Sequence, residues 1–219
     1  MDTAASKVSS TEPTHRKLNG SRENIEQQIL AAAESIFAER GFRGATVAAV
    51  AEAAELPKAN VLYYFKSKQG LYKGVMDRLL TMWMENMDEM TADMHPKEAL
   101  THYIANKIHQ SRERPNASRI FAADILHGAN YLYAPLKGEL KDQFDRTCEV
   151  FSQWMDKGWI DKMNPEHLMF MLWSTTQAYA DHGLQMGILM KKEALDDEDY
   201  DEGINLLTQV ILKGCGVKL

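Results

Sequence analysis

Apolar residues in this chain recur at spacings of three and four rather than two, which predicts helices throughout. From about Arg22 to Arg40 one face is kept by Ile25, Ile29, Ala32 or Ala33, and Ile36, and Gly41 supplies a left-handed stop. Thr46 is placed to cap a short, Ala-rich helix to Ala54, with Val47, Val50, Ala51 and Ala54 on one side. Pro57 then fits the start of a two-turn helix, Lys58 to Phe65, because its missing amide would be unpaired there. Ser67 can cap a long helix from Lys68, apolar on more than one side through Leu71, Val75, Leu79, Met82, Trp83 and Met87, which therefore must be buried widely. After His95-Pro96, helices are expected at about 97–112, 116–127, 135–158, 165–189 and 199–213. The expectation is an all-α fold of about nine helices, with a flexible polar arm over residues 1–21.

Composition changes this picture in one respect. The 219 residues are 45% hydrophobic, ordinary for a globular chain with a sizeable core, and carry a formal net charge of −6. That charge is unevenly spread: residues 1–80 hold 11 basic and 9 acidic side chains, the remainder 14 and 22. The N-terminal part is therefore the one to examine for a polyanionic partner. Cys148 and Cys215 lie far apart, with no CxxC and no histidine in zinc-like spacing, so neither a disulfide framework nor a metal site is indicated. The longest apolar run, Leu168 to Trp173, falls far short of the roughly 18 residues of a spanning helix, and no signal peptide is read at the start. A reducing cytoplasm and no membrane partner are the expectation. Catalytic motifs are missing: there is no GxSxG, GxxxxGK[ST], HExxH or GxGxxG after a strand, so an enzyme is not expected.

A short helix, a three-residue turn and a second short helix of different surface make a helix-turn-helix, whose second helix enters the major groove of DNA. Lys58 and Asn60 at the start of that second helix suit base edges or phosphates. Tyr63, Tyr64, Lys66 and Lys68 offer hydroxyls and ammonium groups to phosphate, while Val61, Leu62 and Phe65 hold the helix on its scaffold. Thr46, at a helix N-terminus, adds a further phosphate site. The strings Gly41-Phe42-Arg43-Gly44-Ala45-Thr46, Val50-Ala51-Glu52-Ala53-Ala54 and Asn60-Val61-Leu62-Tyr63-Tyr64-Phe65-Lys66-Ser67-Lys68 resemble the TetR family of one-component repressors. The resemblance implies a DNA-binding domain over residues 22–67, with Arg43 among its contacts, and a ligand-binding and dimerisation domain over 68–219. Two positions depart from the family pattern. Glu55 stands where glycine is usual and Pro57 where a capping serine is usual. A left-handed Glu55 strains the turn by about 1 kcal/mol, and Pro57 removes a hydroxyl and an amide that could touch phosphate.

The stretch from Asn164 to Asp181, the acidic Asp196-Asp197-Glu198-Asp199, the segment Arg112 to Arg119 and Leu79 to Trp83 resemble the pyrimidine-utilisation repressors within that family. A small-molecule effector, a pyrimidine base, is what this implies, with no other cofactor. One turn apart, Trp173 and Gln177 combine a flat apolar wall with a carboxamide that suits a planar heterocycle, and Trp83 falls where the subfamily has another pocket tryptophan. Leu168, Leu172, Thr175 and Tyr179 form a heptad-like seam. With Ile204, Leu207 and Ile211 of the last helix, that seam is expected to build the four-helix interface of a homodimer, as a palindromic double-stranded operator requires. His102 and His109 would lie about 10 Å apart along a helix, so the histidines read as solvated or packed rather than as metal ligands. Two other readings stay open: a regulator of an unrelated hydrophobic effector or of multidrug efflux, and a structural helical bundle that binds no DNA.

Overall fold

The computed structural model describes residues 14–217, with side chains from Arg22 onward except that of Asn86. Helix α1, Thr14–Gly44, is interrupted at Gly41, whose φ of +65° is the left-handed stop expected there. Residues 14–21, expected in the polar arm, are its first turns, and residues 1–13 of that arm lie outside the described residues. Then come α2 (Val47–Ala53), α3 (Lys58–Phe65) and α4 (Lys68–Asp88). Thr46 caps α2, its hydroxyl accepting the Ala49 N–H at 3.1 Å. Ser67 caps α4 in the same way through Gly70. Pro57 stands at the N-cap of α3, one place before the position expected for it.

The head made by α1 to α3 packs through Ile29, Ala33, Phe37, Val50 and Val61, all buried. Helix α4 comes very close to it at Gly74. A methyl group there would lie 2.9 Å from the Phe65 ring and 3.2 Å from Leu30, so only glycine lets the long helix seat the end of α3 against α1.

The larger layer comprises α5 (Pro96–Glu113), α6 (Pro115–Leu126), α7 (Tyr133–Lys137), α8 (Glu139–Asp156), α9 (Pro165–Asp181), α10 (Gly183–Leu189) and α11 (Asp197–Gly214). The described residues thus form eleven helices and no strand. The excess over the expected nine comes from two breaks inside spans read as continuous. At Gly138 the backbone leaves the helical region (φ −112°, ψ −117°) and separates α7 from α8. At His182 (φ −112°, ψ 12°) it separates α9 from α10. The apolar spacing runs on across both breaks, and spacing reports faces, not axes. Central to this layer, α5 packs against α9 and α11 and buries Leu100, Tyr103, Ile104 and Ile108. The acidic run enters α11 as a capping box between Asp196 and Asp199, with Lys192 bridging both carboxylates at 2.7 Å.

The seam expected to meet a second copy faces inward. Leu168, Leu172 and Ile211 are buried in the chain's own core, and Thr175, Ile204 and Leu207 are half-buried beside it. Tyr179 lies over Gly203 of α11, its hydroxyl filling the place a Cβ would take. The large apolar side chains left exposed on these helices are others: Phe170 and Met171 on α9, Leu184 and Ile188 on α10, Leu206 and Val210 on α11. Both faces of α9 are apolar, and the helical period alone does not say which one the rest of the chain covers.

Candidate functional site

Helix α3 presents Lys58, Leu62 and Tyr63 to solvent, with Tyr63 at 61% exposure, and buries Val61 beneath them. Leu62, expected among the scaffold contacts, therefore faces outward. Asn60 is half-buried. Tyr64 is half-buried too; the Arg22 guanidinium lies 5.9 Å from its ring centre, and Tyr63 meets it edge-on at 5.4 Å. Lys66 is exposed in a left-handed conformation (φ +63°), its ammonium held 2.7 Å from the Tyr63 carbonyl. Arg43 and Thr46 are exposed at the neighbouring start of α2.

Lys68 does something other than expected. Its ammonium donates to the carbonyls of Phe42 at 2.9 Å and Ala45 at 3.1 Å and sits 4.7 Å from the Phe42 ring. A cation spent on carbonyls freed where α1 breaks is a structural tie, and it is not available to phosphate. A second tie runs from Gln28 to the Ala54 carbonyl at 2.7 Å, closing α1 onto the end of α2. The turn that follows is a Schellman motif. The Glu55 N–H donates to Glu52 and the Leu56 N–H to Ala51, both at 3.0 Å, and Glu55 is left-handed with φ +52°.

In the larger layer the structure brings Trp83 and Gln177 to one cavity, and leaves Trp173 out of it. Trp173 packs 5.6 Å from Phe144 and 5.9 Å from Phe170, with Tyr103 beside it. Residues of α5, α6 and the link between them complete the cavity wall: Lys107, Gln110 and Ser111, then Arg114 in the link, then Ala117 and Ser118, with Met82 beside Trp83. Gln177 donates to Ser118 and, at 3.3 Å, to Asp181. The void measures about 220 Å³ including its mouth and is so closely walled that it has room for roughly one water molecule. A ring would enter only as Trp83 or Met82 gives way, and both belong to α4, which leads straight to α3.

Lys107 was not among the residues singled out from the sequence, although it interrupts the buried stripe Leu100, Tyr103, Ile104, Ile108, which is the signal a buried functional cation leaves. Only 8% exposed, it holds its ammonium 4.7 Å from the Trp83 ring centre. Burial pulls its pKa down to about 8, partly countered by the nearby Asp181 carboxylate.

Arg114 joins this cavity to the head. Its guanidinium donates to Glu34 of α1 and, at 3.0 Å, to the Met82 sulfur. Glu34 is itself 8% exposed. Arg78 of α4 lies alongside with one buried guanidinium nitrogen unpaired, and burial together with the Arg114 charge holds its pKa below the usual arginine value. Nothing in the helical spacing pairs residues 80 apart, so this link was beyond sequence reasoning.

Two family models together match residues 29–218. Residues 29–75 match the family model of bacterial regulatory proteins, tetR family, and residues 76–218 that of the YcdC-like protein C-terminal region. The chain is 34% identical over 186 residues to the HTH-type transcriptional regulator RutR of Escherichia coli strain K12, covering 85% of this chain and 88% of that one. RutR of Shigella flexneri gives the same figures. Among solved structures, a TetR-like transcriptional regulator from Rhodococcus sp. RHA1 superposes with a TM-score of 0.65 at 19% identity, over 89% of this chain and 97% of that one. A helix-turn-helix head, a helical sensor layer and a RutR-like sequence along most of its length together make this chain a member of the TetR family of transcriptional regulators, not an enzyme.

Proposed function

We propose that this regulator acts as a two-fold dimer, places α3 of each copy in successive major grooves of its operator, and releases DNA when a planar heterocycle of the pyrimidine class enters the cavity beside Trp83. The observation that carries the effector reading is the convergence of Trp83, Gln177 and Ser118 on one enclosed space. An aromatic wall with a carboxamide and a hydroxyl in hydrogen-bond contact suits a ring bearing both carbonyl and N–H groups. That polar lining favours such a ring over the hydrophobic or multidrug effectors that a greasy cavity would take. The resemblance to pyrimidine-utilisation repressors points the same way.

Operator contact is assigned to Lys58, Tyr63 and Lys66 on or beside α3, with Arg43 and Thr46 at the start of α2 and Asn60 and Tyr64 at the half-buried margin. Ligand and operator then oppose each other through α4. A ring that displaces Trp83 moves the helix whose first two turns are held to α3 at Gly70 and Gly74, and so alters the spacing of the two recognition helices. The second copy is assigned to the exposed apolar residues of α9 to α11, Met171, Ile188, Leu206 and Val210 among them.

The test has two parts. Retention of the chain's own promoter DNA in a gel, titrated with salt, should show a steep decline and should weaken at least tenfold in Lys58→Ala and Tyr63→Ala. Uracil and thymine should raise the melting temperature of wild type but not of Gln177→Leu. Failure of every pyrimidine to do so would sink the effector assignment and leave DNA binding intact.

A further inference from the structure

The pyrimidine reading leaves one feature of the cavity unexplained. Two of its lining residues, Lys107 and Arg114, are cations, and no carboxylate lines it. The charged groups coupled to one another here are Arg78 of α4, Lys107 of α5 and Arg114 in the link between α5 and α6, against Glu34 of α1 and Asp181 of α9. One positive charge is uncompensated. Glu34 is engaged by Arg114, and Asp181 accepts from Gln177. Among the described residues the Lys107 ammonium has neither an ion pair nor a hydrogen-bond acceptor; its nearest aromatic neighbour is the Trp83 ring at 4.7 Å. Buried charges of folded proteins are paired, so a buried ammonium left over at a cavity wall is the half of a pair that a ligand completes. Gln110 adds a second open valence: its side-chain carbonyl oxygen is buried and without a partner, on the same wall.

We infer that the effector is an anion, a ring carrying a carboxylate or an equally acidic group, whose negative oxygens seat on Lys107 and draw on Arg114 while a ring N–H donates to Gln110. This rests on the proposed pyrimidine site and narrows its occupant from a neutral base to an acidic one. It also gives the ligand a direct handle on the head. Arg114 is shared between the cavity and Glu34, so a second anion at its guanidinium competes with the carboxylate of α1 and loosens the contact that holds the DNA-binding head to the sensor layer.

Matched pairs of neutral and anionic probes decide it: uracil with its 6-carboxylate, orotate, and nicotinamide with nicotinate, titrated calorimetrically into the full-length protein. The carboxylate of at least one pair should bind ten or more times tighter than its neutral partner at pH 7. That advantage should vanish in Lys107→Met, which keeps the shape of the side chain and removes the charge. In wild type, affinity for the carboxylate should fall about tenfold between pH 7 and 9 as the free Lys107 ammonium, with its pKa near 8, loses its proton, and binding above pH 8 should take up a proton from buffer. The wild-type pH series stands alone if Lys107→Met does not fold. Uracil binding as tightly as orotate, with no proton uptake, would overturn the anion and keep the pyrimidine. Nicotinate binding through Lys107 while neither pyrimidine binds would keep the anion and overturn the pyrimidine. If neutral and anionic members of both pairs bind alike, or none binds, the inference fails.

Discussion

Replacing Glu55 by glycine is expected to stabilise this protein, and the size of the gain follows from the turn. Glu55 closes α2 in a left-handed conformation at φ +52°, where an L-residue carries about 1–2 kcal/mol of steric cost that glycine does not. Against this, glycine loses more freedom on folding, about 0.5–1 kcal/mol relative to alanine. The side chain is exposed and makes no hydrogen bond or ion pair among the described residues, so its removal breaks nothing. The difference is a gain of about 0.5–1 kcal/mol. In guanidinium chloride, with m about 5 kcal/mol/M for a chain of this length, the unfolding midpoint should rise by about 0.1–0.2 M with m unchanged. Protomer concentration must be fixed, because the apparent stability of any protein that self-associates depends on it. Glu55→Ala is the control: it removes the same charge and keeps the strained backbone, so it should shift the midpoint little. If alanine stabilises as much as glycine, the gain comes from charge and the strain argument is wrong; a destabilised glycine variant would refute it outright. Operator affinity should rise in both variants, since a negative charge leaves the head.

Other outcomes follow from the same geometry. Gly74→Ala would drive a methyl into the Phe65 ring, so it should cost about 1–3 kcal/mol in chemical denaturation and weaken operator retention by displacing α3. Glu34→Ala leaves Arg78 and Arg114 facing each other in a buried place; a loss of about 2–4 kcal/mol is expected, largely recovered in Glu34→Leu with Arg114→Met. Leu206→Glu with Val210→Glu should yield folded monomers by light scattering and circular dichroism, whereas Leu168→Glu should not fold. Ligand-free protein should gain stability from Lys107 as pH rises from 8 toward 10: the folded state gives up that proton near pH 8, the unfolded chain only near 10.5, and stability rises wherever the unfolded state holds more protons. Lys107→Met should lack that rise; the effect is read as the difference between the two proteins, because Cys148 and Cys215, whose thiols burial pushes up to about 11, pull stability the other way above about pH 9 in both, and buried Tyr72 and Tyr103 do so above about pH 10.

The head was legible in the sequence because its determinants are local. Thr46 and Ser67 cap within three residues, Gly41 marks its own left-handed stop, and the helical period of 3.6 puts Val61 under α3 and Lys58 and Tyr63 outside it, although over only eight residues it misassigned Leu62. The sensor layer depends on contacts between distant helices, which spacing does not encode. Helix α9 offers two apolar faces of similar weight, and the interior took the one assigned to a partner. Trp83 and Trp173 look alike in a string of letters; only the crossing of α4, α5 and α6 decides that the first lines a cavity and the second packs with Phe144 and Tyr103. Lys68 misled for a different reason. A lysine beside a recognition helix matches the expected chemistry, and the acceptors that claim it, the carbonyls of Phe42 and Ala45, lie more than twenty positions away.

If the cavity takes the proposed effector, the guanidinium of Arg114 ties the history of effector preference to that of repression strength. Any substitution there that reshapes the cavity also loosens Glu34, so variants selected for a new inducer will tend to arrive leaky, transcribing without it. Recovering tight control would then call for a second change in α1, far from the ligand. In such a lineage, position 34 of the head and position 114 of the sensor are expected to change together, and neither would reach a new effector alone.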